Sequence, residues 1–188
     1  ILTVNMLGCH DGIPMLDLKG LLPEERIQSL IDLIVSRGGM VKNLHGQKNV
    51  YYQVNATYYS ALGENDAKLL MARAIQMFMP GKPQVWYLDL FAGKNDYDAV
   101  ARAGEGGHKE INRTNLTRAQ IEEALEKPIV TKQLELLRMR CNCPAFAPGA
   151  DVSIESRGHV LTIEWKHDGH TACLQADLQK LTYHIDTV

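Results

Sequence analysis

The hydrophobic pattern changes period at Pro144, and no single type of secondary structure can carry both parts. Beyond it, Leu161, Ile163 and Trp165 alternate with Thr162, Glu164 and Lys166. Ala172, Leu174 and Ala176 alternate with Cys173, Gln175 and Asp177, and Leu181, Tyr183 and Ile185 with Thr182, His184 and Asp186. Residues two apart in a strand share a face, so each run has one apolar and one polar side. Arg157-Gly158 and Asp168-Gly169 supply turns. The pattern predicts a small antiparallel β module with one solvated face.

Before Pro144 the apolar spacing is helical and is interrupted by short apolar runs. Leu22-Pro23-Glu24-Glu25 opens a helix, with proline and two acids in its first turn. Ile27, Leu30, Ile31 and Ile34 then fall on one face, and Arg37-Gly38-Gly39 stops it. A second helix is predicted from Asn65-Asp66 to Met79, apolar over so wide an arc that it must be largely buried. Thr117 with Gln120 forms a capping box for a third, and Pro128 starts another that runs to about Arg140. Leu2–Leu7 and Gln84–Leu90 read as buried strands, so strand, helices and strand follow in the order of a parallel α/β unit. Met40–Asn49 reads as a loop, and the tyrosine- and amide-rich Val50–Tyr59 as either a site wall or an ordinary packed loop. Tyr97–Asn115 reads as a long glycine-rich loop, which a compact fold rarely keeps without a use.

Composition removes several classes of function. A net charge of −2 gives no electrostatic case for nucleic acid or an anionic membrane. The apolar runs are too short to cross a bilayer. Cys9, Cys141, Cys143 and Cys173 contain no CxxC and no zinc-like spacing, and are expected to be free thiols in a reducing cytoplasm. The chain begins at Ile1, inside a strand-like run, so a segment is expected before it.

Six ordered motifs carry a resemblance. They are His10-Asp11-Gly12-Ile13, Tyr52-Gln53-Val54-Asn55, Thr57-Tyr58-Tyr59-Ser60-Ala61-Leu62-Gly63, Pro83-Gln84-Val85, Ala92-Gly93-Lys94-Asn95-Asp96 and Ile111-Asn112-Arg113. Their order and spacing resemble the sucrose phosphorylase branch of glycoside hydrolase family 13, the alpha-amylase family, over nearly the whole chain. The resemblance implies an α/β fold: the C-terminal part of a (β/α)8 barrel, with a subdomain inserted between strands seven and eight, then a small antiparallel β domain. On that view residues 1–12 are strand seven and its C-terminal end, 13–62 the inserted subdomain, 63–143 strand eight and flanking helices, and 144–188 the β domain. A complete barrel needs eight strands and about 250 residues, so this chain would hold a part only.

The resemblance also implies roles. Asp11 looks like the family's transition-state stabiliser, a carboxylate that accepts two sugar hydroxyls as the ring gains positive charge. His10 looks like a second contact to the same sugar; alone, the His10-Asp11 pair would read better as a strand-end cap. Tyr52 and Gln53 resemble the loop on the acceptor side, and Lys109 stands in the Gly-Arg-Asp-Ile-Asn-Arg motif where the family has arginine. Lysine keeps the charge and loses the bidentate fork. Val50 stands where the family has an acid. Both departures lie on the acceptor side.

The expected activity is glucosyl transfer from sucrose or a related α-glucoside to phosphate, giving α-glucose 1-phosphate by retaining double displacement. No cofactor and no metal are expected. The alternatives are a hydrolase or transglucosidase of the same family, or a non-catalytic fragment. The nucleophile and acid/base are implied upstream of Ile1, so the chain alone is expected to be inactive. Its expected partners are the α-glucoside, inorganic phosphate and the N-terminal half of the parent; a homodimer is compatible with all of these.

Overall fold

The computed structural model describes residues 3–43 and 51–188. Contacts divide the chain into two compact units, each assembled from separated segments.

One unit comprises the N-terminal residues up to Met6, Asp66–Gln84 and Glu126–Val188. Its two parallel strands, β1 (Val4–Asn5) and β5 (Lys82–Pro83), pair Val4 with Lys82 and Asn5 with Pro83. Helix α3 (Asp66–Phe78) lies between them in sequence, and Leu69, Ala74, Met77 and Phe78 are at most 1% exposed. Arg73 on the same helix is fully buried. Its Nε donates to Gln133 Oε1 at 2.9 Å, and its Nη1 to Gln76. Gln76 Nε2 in turn donates to the carbonyls of Asn5 (3.2 Å) and Gln84 (2.9 Å), so a buried polar chain ends on the two strands. Gln133 belongs to α7 (Pro128–Asn142), which has proline in its first turn as expected.

The same unit holds the antiparallel sheet β6 (Asp151–Arg157), β7 (Val160–His167), β8 (His170–Asp177) and β9 (Thr182–Thr187), in that order. The register pairs Ile163 with Leu174 and Leu174 with Ile185, which sets the predicted apolar residues on one face. The opposite face carries Glu164, Cys173 and Asp186 in a row. Burial pushes the Cys173 thiol up, and the flanking Glu164 and Asp186 carboxylates add to the effect. Trp165 Nε1 donates to Phe78 O at 2.7 Å, and Phe146 stands edge-on to both Phe78 and Trp165. That indole bond satisfies the one polar atom of a side chain that is otherwise apolar cargo.

The second unit comprises Leu7–Asn65 and Val85–Leu125. A three-stranded sheet of β2 (Ile13–Pro14), β4 (Tyr51–Asn55) and β3 (Met40–Asn43) runs antiparallel in the order β2-β4-β3. Helix α1 (Glu24–Ser36) buries Ile27, Ile31 and Ile34 with Met15, Val54, Ala56 and Ala61. Short helices α2 (Tyr58–Ala61), α4 (Tyr87–Leu90) and α5 (Tyr97–Ala103), a 3-10 helix Gly107–Asn112, and α6 (Arg118–Leu125) complete it. The capping box at Thr117 forms: Gln120 Oε1 accepts the Thr117 N–H at 2.8 Å, and Thr117 Oγ1 accepts the Gln120 N–H at 3.3 Å.

Four sequence expectations change. Leu2–Leu7 contracts to the two-residue β1 within the described residues. Gln84–Leu90 is not a strand: pairing ends beside Gln84, and Tyr87–Leu90 turns into α4. A short apolar run has no period that separates strand from buried helix, and here Asp89, 1% exposed, turns its carboxylate to the Tyr58 N–H at 3.0 Å. Met40–Asn43 is strand rather than loop, and Tyr97–Asn115 is mostly helical. Asp96 caps α5 by accepting the Ala99 N–H at 2.8 Å, and Gly104 ends it at φ 70°. Residues 44–50, with the remainder of the expected Met40–Asn49 loop and Val50, lie outside the described residues. Among the described residues, no helix is long and apolar enough to cross a membrane.

Candidate functional site

The chain leaves β1 and turns sharply at Cys9–Gly12, where the Gly12 N–H donates to Cys9 O at 3.0 Å. Gly12 has φ +95°, and a Cβ there would lie 2.4 Å from the Val54 carbonyl. Only glycine allows the turn to lie this close against β4.

The carbonyls of Cys9, His10 and Asp11 are each gripped by a side chain from far along the sequence. Asn112 Nδ2 donates to Cys9 O at 2.8 Å, Arg113 Nε to His10 O at 2.9 Å, and Asn55 Nδ2 to Asp11 O at 2.9 Å. Asn55 and Asn112 are fully buried, which fixes their amides. The Asp11 carboxylate is engaged at both oxygens. Oδ2 lies 3.2 Å from His10 Nε2, and Oδ1 accepts from Arg113 Nη2 at 3.2 Å. Its side chain remains 49% exposed and that of His10 56%, so both stay open to a ligand. The His10 ring stands 5.9 Å from Trp86, tilted by 52°, and Trp86 packs on Tyr87 at 4.5 Å. Trp86 Nε1 donates to Asn112 O at 3.4 Å, and burial raises the Tyr87 hydroxyl above its ordinary value while it donates to Thr114 O at 2.5 Å.

The predicted residues divide accordingly. His10 and Asp11 form one paired unit. Gln53 is 5% exposed on β4, with Nε2 unpartnered among the described residues. Tyr52 precedes it on the strand, with a side chain outside the described residues. Lys109 is half-buried on the 3-10 helix that ends at Asn112, and has no ion-pair partner among the described residues. Sequence reasoning missed Asn55, Asn112, Arg113 and Trp86 as site-forming residues. Three of these four stand inside the quoted motifs, which was the available signal.

Cys9 Sγ, a His10 nitrogen and an Asp11 oxygen lie within 4.8 Å of one another, a spacing a metal ion could use. The donors are already committed. Cys9 Sγ accepts the Asp11 N–H at 3.4 Å, and the Arg113 guanidinium supplies positive charge at the carboxylate. The set fits a hydrogen-bonding site better than a cation cage.

No family model matches the chain. It is 55% identical over 187 residues to the sucrose 6(F)-phosphate phosphorylase of Ilumatobacter coccineus, covering 95% of this chain and 36% of that protein. It is 37% identical over 190 residues to the glucosylglycerol phosphorylase of Marinobacter adhaerens, covering 96% and 39%. The crystal structure of sucrose 6F-phosphate phosphorylase from Thermoanaerobacter thermosaccharolyticum superposes on the whole chain with a TM-score of 0.93 at 39% identity, using 38% of that protein. The chain therefore spans little more than a third of the length of these relatives.

Proposed function

Because the chain is homologous over nearly its whole length to about a third of the length of sucrose phosphorylase-type enzymes of the alpha-amylase family, we propose that its full-length parent transfers a glucosyl group from sucrose, or from sucrose phosphorylated on its fructose ring, to inorganic phosphate. The product is α-glucose 1-phosphate, formed with retention. In such a double displacement a carboxylate nucleophile takes the glucosyl carbon as an acid protonates the leaving oxygen, and phosphate then displaces the enzyme. Those two groups belong, in this reading, to the N-terminal half that accompanies the chain.

The observation that carries the proposal is the half-exposed Asp11 carboxylate, fixed beside His10 at a turn whose first three carbonyls are clamped. Asp11 accepts the 2- and 3-hydroxyls of the glucosyl ring, bonds that strengthen as the ring becomes cationic. His10 donates to the same sugar. Tyr52, Gln53 and Lys109 belong to the segments that serve the leaving group and phosphate. The spread of glucosyl donors in the names of its relatives, sucrose 6(F)-phosphate and glucosylglycerol, supports an acceptor side that varies around a constant glucosyl site.

In the same reading residues 1–12 serve as barrel strand seven, 13–62 as the inserted subdomain, 63–143 as strand eight with its helices, and 144–188 as the β domain. The parent works in the cytoplasm, and sedimentation of it decides whether it pairs as a homodimer. The test of function is incubation of the full-length protein with each α-glucoside and phosphate, followed by enzymatic measurement of glucose 1-phosphate. Release of glucose without glucose 1-phosphate would replace the proposal with a hydrolase.

A further inference from the structure

We propose that Arg113 is a positioning residue that sets the Asp11 carboxylate for glucosyl transfer and ties it to the segment carrying Lys109; the inference rests on the glucosyl-transfer reading of this site. Arg113 uses its fork on two targets at once. Nε holds the His10 carbonyl at 2.9 Å and Nη2 holds Asp11 Oδ1 at 3.2 Å, so the main chain before the carboxylate and the carboxylate itself share one rigid plane of donors. Nη1 lies 3.9 Å from Glu110 Oε1, which braces the guanidinium from its own 3-10 helix.

A carboxylate has about four acceptor sites on its two oxygens. Arg113 occupies one on Oδ1 and His10 faces Oδ2, which leaves one on each oxygen for two sugar hydroxyls. Removing Arg113 frees the carboxylate to rotate and frees Oδ1 to bind water, which must then be displaced. The loss falls on bonds that tighten as the ring becomes cationic, so it appears in kcat more than in KM. Because Arg113 immediately follows Asn112, whose amide holds Cys9 O at 2.8 Å, movement of the Gly107–Asn112 helix is passed to the turn through adjacent residues.

The experiment uses the full-length parent with α-glucosyl fluoride as donor, a substrate whose small leaving group makes no demand on the acceptor side. Arg113→Met is expected to lower kcat by about 10- to 100-fold, the scale of one lost charge-assisted hydrogen bond, with KM changed less than threefold or so. Arg113→Lys restores part of the loss, since charge returns without the fork. The deciding measurement is the double-mutant cycle with Asp11→Asn. If Arg113 acts through Asp11, Arg113→Met costs little in the Asp11→Asn background, because the effects of coupled residues do not add. Full additivity of the two losses, or an unchanged kcat in Arg113→Met, overturns the proposal. Thermal unfolding of each variant separates this from collapse: a folded Arg113→Lys with no recovery at all also overturns it. The glucosyl-transfer reading fails differently. Turnover of the fluoride without any formation of glucose 1-phosphate overturns phosphorolysis and leaves the cycle readable, whereas a wild-type protein inert to the fluoride overturns both.

Discussion

At the scale of single residues, the candidate site centres on a carboxylate whose surrounding main chain is held at three successive carbonyls. Asp11→Asn keeps the shape and loses the charge. In the full-length parent it is expected to lower kcat at least about 100-fold with folding intact, as removal of a preorganised transition-state contact does. Near-normal turnover would remove Asp11 from that role. On the acceptor side, Lys109→Arg with Val50→Asp should change the preference among α-glucoside leaving groups while leaving α-glucosyl fluoride turnover nearly constant. Unchanged specificity constants across all glucosides would refute it. The contact between His10 and Asp11 was legible because the two are adjacent in sequence, inside the motif His10-Asp11-Gly12-Ile13. Asn55, Asn112 and Arg113 were not, because they act on main-chain carbonyls, and a carbonyl has no letter. Nothing local to residue 113 announces a partner 102 positions away.

At the scale of elements, the stretch from Asp96 to Thr114 shows why propensity misled. Its glycines suggested a loop, yet Asp96 starts α5 and holds the segment at both ends: its carboxylate accepts from Ala99 N at 2.8 Å and Thr114 Oγ1 at 2.9 Å, and its own N–H donates to Ile111 O at 2.9 Å. The Ala99 N–H, aided by Thr114 and the Arg102 charge, holds this carboxyl below its ordinary value of 3.8. A folded-state pKa below the unfolded one means the stabilisation is complete above the unfolded value and fades as pH falls through the folded one. Asp96→Asn is therefore expected to cost about 0.5–2 kcal/mol at neutral pH, the range for a helix cap, and the gap from wild type should narrow below about pH 4. Denaturant unfolding at several pH values reads this, and a gap independent of pH would count against the charge. By contrast, β7, β8 and β9 were legible in the sequence, since their period-two runs match the observed register, while β6 carries no such alternation. The run Gln84–Leu90 was not, because a buried segment of that length looks alike in either conformation.

At the scale of the whole molecule, the 188-residue chain by itself is expected to form no glucose 1-phosphate from sucrose or its phosphate. Retaining transfer needs two carboxyl groups about 5–5.5 Å apart, and the family resemblance assigns both to the part of the parent not included in this chain. Among the described residues β1 and β5 pair only with each other, and Val4 in β1 and Met6 just after it are 57% and 44% exposed, apolar surface that a larger protein would cover. Product formed at an enzyme-like rate by a purified chain of verified mass would refute this, and would move both chemical roles into residues 1–188. The threading of the chain has a further consequence, for inheritance and for chimeras. The site-bearing unit is made of two separate lengths of sequence, Leu7–Asn65 and Val85–Leu125, and the second supplies Asn112 and Arg113 to the backbone of the first. A recombinant gene with a single crossover between them would marry a turn from one ancestor to a grip from another. Successful hybrids among relatives should therefore carry both lengths from the same parent, whatever lies outside them.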